Sequence, residues 1–146
     1  MIYNTLNVLL LLIFTLSQVV FATNVVNPLR VDGLVTAVFT PFNDDFSLNL
    51  NQVEVQAAWL KDTGVEYVFV AGTTGESLKL NMTERMKLTE TWLNLPASYG
   101  IKVIVHVGAE SIDNAKALAA HAEAHGAVAI GNIVLCILFF PVLCQC

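Results

Sequence analysis

The sequence predicts an α/β protein whose strands run parallel in one sheet. Three observations carry that prediction: short β-branched and aromatic runs, a helical apolar period between successive runs, and a strand, loop, helix unit that returns roughly every 33 to 35 residues. That spacing is the rhythm of right-handed βαβ crossovers, in which a helix carries the chain back along the sheet.

The first strand is read in "LVTAVFTPF", Leu34 to Phe42, stopped by Pro41. The second is "YVFVAGT", Tyr67 to Thr73, and the third "KVIVHVGA", Lys102 to Ala109. A fourth begins at Ala127. Because these runs are apolar almost throughout instead of alternating, they suit parallel strands covered on both faces. Between them, Leu50, Val53, Ala57 and Leu60 fall on one helical face, Met82, Met86 and Leu93 mark a second helix, and Ile112, Ala115, Leu118, Ala119 and Ala122 a third. Asn49 and Asn81 are read as N-caps, with Gln52 and Glu84 as capping-box partners three residues on, and Ser111 as the third cap. Gly64 and Gly126 stand where helices stop, and Pro96 closes the second. Trp59 and Trp92 lie within helix patterns and are expected to pack.

Charge is unevenly laid out. The net charge is -5 over 146 residues, and every Asp, Glu, Lys and Arg lies between Arg30 and Glu123. No basic stripe is offered to a phosphate backbone, which argues against nucleic-acid partners. At the amino end, an apolar run from Val8 to Leu16 is followed by Val20-Phe21-Ala22, the small-residue pattern of a cleaved secretory signal over residues 1–22. At the other end, Ala127 to Cys146 is uncharged and holds all three cysteines. Cys144 and Cys146 lack the further ligands of a closed zinc site, so residues 131–146 are read as an apolar tail without metal chemistry.

In parallel sheets, ligands collect at the carboxyl ends of the strands. Thr40-Pro41, "GTTGES" from Gly72 to Ser77, and His106 to Glu110 all fall there. Gly72 and Gly75 are expected to free the backbone so that amides turn toward one point, and Thr73, Thr74 and Ser77 add hydroxyl donors. Two hydroxyls and an amide or two suit the two oxygens of a small carboxylate. A phosphate loop would carry Lys after Gly75, and none is there. The same residues also suit a tight turn of small side chains with no ligand.

"GTTGES" after an apolar strand, together with "IVHVGAES" and "TPF" at Thr40 to Phe42, resembles the pyruvate-dependent class I aldolase family of dihydrodipicolinate synthase and N-acetylneuraminate lyase. The His106-Val107-Gly108 stretch is more similar to the lyase branch than to the synthase branch. The resemblance spans Leu34 to Ile130 and implies the first three to four units of a (β/α)8 TIM barrel over residues 30–130. It also implies that Thr73 and Thr74 hold the carboxylate of pyruvate or of sialic acid, supported by Gly72, Gly75, Glu76 and Ser77. In that family a lysine on a later strand forms a Schiff base with the keto carbon and a tyrosine relays protons. The iminium then lets sialic acid split into pyruvate and N-acetylmannosamine, with no metal or other cofactor.

Neither the lysine nor the tyrosine has a counterpart here. Lys61, Lys79, Lys87, Lys102 and Lys116 fall at positions expected to be wet, and Tyr67 and Tyr99 at or before strand starts, away from the loop. The expectation is therefore a truncated product, inactive alone, whose open sheet edges and inner face lack the cover of a whole barrel. The rival is a non-catalytic chain that forms oligomers with full-length subunits or touches a membrane through its apolar ends. Location follows the leader: secretory if residues 1–22 are used, otherwise cytoplasmic as the resemblance implies. His121 and His125 have the i, i+4 spacing of a metal pair, yet no third ligand is in view and they are read as solvent-facing. His106 is read either as a hydrogen-bonded core histidine or as shaping the pocket, and Asn81 as a cap in preference to a glycosylation site.

Overall fold

The computed structural model describes residues 29–132. The signal-like segment and nearly all of the cysteine-bearing tail lie outside the described residues. From Val31 onward the described chain belongs to one compact unit.

Four strands, β1 (Val35–Ala37), β2 (Tyr67–Val70), β3 (Lys102–His106) and β4 (Ala129–Gly131), pair in the order β1-β2-β3-β4. All three pairings are parallel. Helices α1 (Asn51–Asp62), α2 (Met82–Leu93) and α3 (Ile112–Ala124) form the three crossovers. The strands are shorter than the apolar runs because the ladder ends where the chain turns into loops. After β1 one more bond, Val38 N–H to Phe69 O at 3.2 Å, extends the ladder before the chain curls through an isolated Phe42–Leu48 bridge.

Register separates the two faces. Thr36, Val68 and Val103 form one row across the sheet, and the row with Val68, Val70, Val103 and Val105 is buried beneath Val53, Ala57 and Leu60 of α1, Leu88 and Trp92 of α2, and Leu118 and Ala122 of α3. The opposite row, Ala37, Phe69, Ile104 and Ala129, is paired in register, and among the described residues no helix lies over it. Ala37 is exposed and the other three are half-buried. The expectation of cover on both faces is thus met on one face only among the described residues. The apolar runs record two dry faces, and the helices account for one.

Helix starts differ in chemistry. At α2 the predicted capping box is present: Glu84 N–H donates to Asn81 Oδ1 and Asn81 N–H to Glu84 Oε2, both at 2.9 Å. At α1 the cap is Leu50, with no side-chain bond, and Asn49 offers only its backbone carbonyl to Gln52 N–H. Asn49 stands one residue too early to cap. Ser111 does occupy the cap position of α3, but its hydroxyl makes no capping bond. The stops at Gly64 and Gly126 are as read, both with left-handed backbones that suit a residue lacking Cβ.

On α2 the buried stripe is Arg85, Leu88, Thr89 and Trp92, with Met82, Met86 and Leu93 on its flanks. Trp92 packs as expected. Trp59 does not: it is 65% exposed on α1, turned away from the core. Ile112 is likewise exposed at the first turn of α3, ahead of the part of that helix that meets the sheet.

Candidate functional site

The loop after β2 is held at both ends by backbone conformations that L-residues seldom adopt. Ala71 has φ 56° and Glu76 φ 52°, both left-handed. Gly72 and Gly75 are not left-handed, so their expected role is corrected. They serve close approach instead. A Cβ on Gly72 would stand 2.6 Å from Cε1 of the Phe69 ring, and one on Gly75 3.1 Å from Val38 O and 3.2 Å from the backbone of Ala71.

Neighbouring loops tie this one down. Buried Thr40 donates its hydroxyl to Gly75 O at 2.6 Å, joining the end of the first unit to the loop of the second. His106 Nδ1 lies 2.9 Å from Ala71 O, and a carbonyl can only accept, so Nδ1 carries the proton. Within the loop Glu76 N–H donates to Thr73 O at 3.0 Å and Ser77 N–H to Gly72 O at 3.2 Å. Gly72, Gly75 and Ser77 are buried, while Thr73, Thr74 and Glu76 are exposed. Of the three hydroxyls read as donors, Thr73 and Thr74 therefore face outward and Ser77 belongs to the support.

Beneath them lies a group that sequence reasoning missed. Arg85 on α2 is 5% exposed. Its Nη1 donates to Gly108 O at 2.7 Å and its Nη2 to His106 O at 2.6 Å, so one fork fixes the end of β3 and the loop that follows. Burial pulls its pKa below the usual guanidinium value. Burial first, and then the Arg85 charge, hold the His106 imidazole below its usual value, against the opposing pull of its bond to Ala71. His106 is thus kept neutral and packs edge-on to Phe69 with ring centroids 5.9 Å apart. The readable signal was helical spacing: Arg85, Leu88, Thr89 and Trp92 follow at i, i+3, i+4 and i+7.

All five lysines are exposed. Lys79 beside the loop is ion-paired with Glu76. Lys102 sits at the amino end of β3, where bonds to the Tyr67 hydroxyl and Glu66 raise its pKa. Tyr67 is at the amino end of β2, away from the loop, and Tyr99 donates its hydroxyl to Glu54 at 3.0 Å. Of His121 and His125, read as solvent-facing, His125 is exposed but His121 is half-buried, and Glu90 of α2 stands beside both, with Oε1 2.8 Å from His121 Nε2 and 3.9 Å from His125 Nε2. Among the described residues no helix is long and apolar enough to cross a membrane.

The family model for dihydrodipicolinate synthetases matches residues 30–134. The chain belongs to the dihydrodipicolinate synthetase family. It is 39% identical over 105 residues to N-acetylneuraminate lyase A of Xenopus laevis, which covers 71% of this chain and 34% of that relative. Among solved structures it superposes on N-acetylneuraminate lyase of Proteus mirabilis with a TM-score of 0.68 and 36% identity, covering 77% of this chain and 37% of that one. Dihydrodipicolinate synthase of Aquifex aeolicus gives a TM-score of 0.66 and 31% identity, with 71% and 35% covered. The chain spans about a third of the length of these family members. Its parallel sheet and helices are accordingly a partial (β/α)8 barrel of the dihydrodipicolinate synthetase family.

Proposed function

We propose that this chain carries the carboxylate-binding part of a Schiff-base aldolase site of the N-acetylneuraminate lyase type. Thr73 and Thr74 are the grip, and the ligand is pyruvate or the carboxylate end of sialic acid. One observation carries the reading: the two exposed threonines sit at the carboxyl end of β2 on a loop pinned from both sides, by Thr40 at Gly75 and by His106 at Ala71. A loop held so firmly presents its donors in fixed directions, which suits recognition of a small planar anion.

Carbon–carbon cleavage by this route needs a neutral amine to attack the keto carbon and expel water, leaving an iminium that accepts the electron pair of the breaking bond. A lysine does this when desolvated, and the five lysines of this chain are all exposed. The chain alone therefore binds the acid without cleaving sialic acid. Pyruvate titrated into the purified chain is expected to shift the amide resonances of Thr73 and Thr74, and Thr73→Val with Thr74→Val to remove the shift. Unperturbed resonances at both positions in the parent would refute the grip. Borohydride with pyruvate should leave the mass unchanged, and a reduced adduct on any lysine would refute the missing amine.

A second reading is favoured by the uncovered row Ala37, Phe69, Ile104 and Ala129: a non-catalytic chain whose open face is covered by subunits of its own family. Light scattering of the chain alone and mixed with a full-length relative separates the two. A monomer that ignores the relative sinks this second reading.

A further inference from the structure

We propose a divalent transition-metal site of the zinc class on the outer helical layer, formed by Glu90 of α2 with His121 and His125 of α3. The residues come from consecutive βα units, and an ion there would cross-link the two helices. It makes no use of the loop after β2.

The placement follows from helix geometry. His121 and His125 are one turn apart on α3, so their rings stack, with centroids 4.2 Å apart and planes inclined at 31°. Glu90 is two residues before Trp92, whose burial fixes the rotation of α2 and so aims Glu90 toward α3. Glu90 Oε1 then stands 2.8 Å from His121 Nε2 and 3.9 Å from His125 Nε2. One ligand atom from each of the three lies within 4.8 Å of the others. A tetrahedral zinc ion with bonds of about 2.0–2.1 Å sets its ligands about 3.3 Å apart. The contact of Glu90 with His121 is shorter than this because it is now a hydrogen bond, and that with His125 is longer. Small side-chain rotations even them out.

Proton placement also fits. His125 Nδ1 lies 2.8 Å from His121 O, a backbone carbonyl, so Nδ1 bears a hydrogen and Nε2, on the side of Glu90, is the nitrogen left to ligate. Metal-bound imidazoles are oriented by such a bond from the other ring nitrogen. At His121 the ligating nitrogen now donates to Glu90. Binding would release the Nε2 proton to water while Nδ1 takes one up from water, a tautomer shift that leaves the net charge of the ring unchanged. Two imidazoles and a carboxylate make a borderline donor set that suits zinc, cobalt or nickel and leaves a fourth position for water. Calcium and magnesium, which take oxygen ligands, are disfavoured.

The test is a zinc titration of the full chain against a chromophoric chelator, with cobalt absorption as a second readout. Cys136, Cys144 and Cys146 could bind the same metals, so the titration is repeated with all three replaced by Ser. Equal affinity in the two backgrounds with one ion per chain supports the site, and loss of binding without the cysteines overturns it. His125→Ala and Glu90→Gln should each weaken zinc at least about 100-fold, because even the outer partners of a metal site are worth roughly 10–100-fold. Circular dichroism checks that each variant stays folded. Zinc should raise the Tm of the parent and leave that of His125→Ala unmoved. An unchanged affinity in a folded Glu90→Gln, or a calcium affinity matching that of zinc, would overturn the assignment.

Discussion

Replacing Arg85 by Met removes a buried cation and leaves two backbone carbonyls without their donor. Each bond from a charged donor is worth about 1.5–3 kcal/mol, and the two lost are short, at 2.7 Å to Gly108 O and 2.6 Å to His106 O. Against this stands the relief of desolvation, since the guanidinium is buried and its Nε has no hydrogen-bond partner among the described residues. Setting one against the other leaves a loss of about 2–4 kcal/mol, a large share of the roughly 5–15 kcal/mol that holds an ordinary domain together. Arg85→Lys should lose about half as much, because one ammonium on a flexible stem serves one carbonyl well and not both. Urea unfolding followed by far-ultraviolet circular dichroism reads both variants. An unfolding free energy for Arg85→Met within about 0.5 kcal/mol of the parent, the spread of ordinary surface changes, would refute the fork as the tie between α2 and the end of β3.

Two more outcomes follow from the same geometry. Asn81→Ala should cost about 1 kcal/mol, the usual worth of an N-cap, while Asn49→Ala and Ser111→Ala, whose side chains make no cap bond, should fall within about 0.5 kcal/mol of the parent by urea unfolding. His106 has a folded pKa below its usual 6.5, so as pH falls past that value the unfolded chain takes up a proton before the folded one does. The His106 share of stability is therefore present above about pH 6.5 and declines below it. His106→Asn should lessen the drop in urea midpoint between about pH 7.5 and about pH 5.5, and an identical drop would count against a buried neutral imidazole.

Much of this architecture could be read from residue patterns. The β-branched runs located all four strands, and the spacing of Val53, Ala57 and Leu60 found the buried face of α1, because burial against a sheet imposes a period that short-range chemistry does not disturb. Asn81 and Glu84 were legible because both partners of the box are local. What stayed hidden depended on distant partners. Arg85 gains its role only when two carbonyls from β3 and its loop are brought to it, and Glu90 meets His121 only when α3 is packed alongside. Trp59 looked like core because its type and period say so, yet no described element stands over it. The glycines of the loop after β2 were picked out correctly as special, but for the wrong reason: what Gly72 avoids is the Phe69 ring, three residues earlier in sequence and on the uncovered face.

The order β1-β2-β3-β4 repeats the order of synthesis. Every strand finds its neighbour in the one translated just before it, and no pairing among the described strands waits for a remote stretch of polypeptide. Loop-closure entropy is then met in instalments of one crossover each. Assembly can proceed from the ribosome outward, with each nascent βα step templated by the edge already laid down.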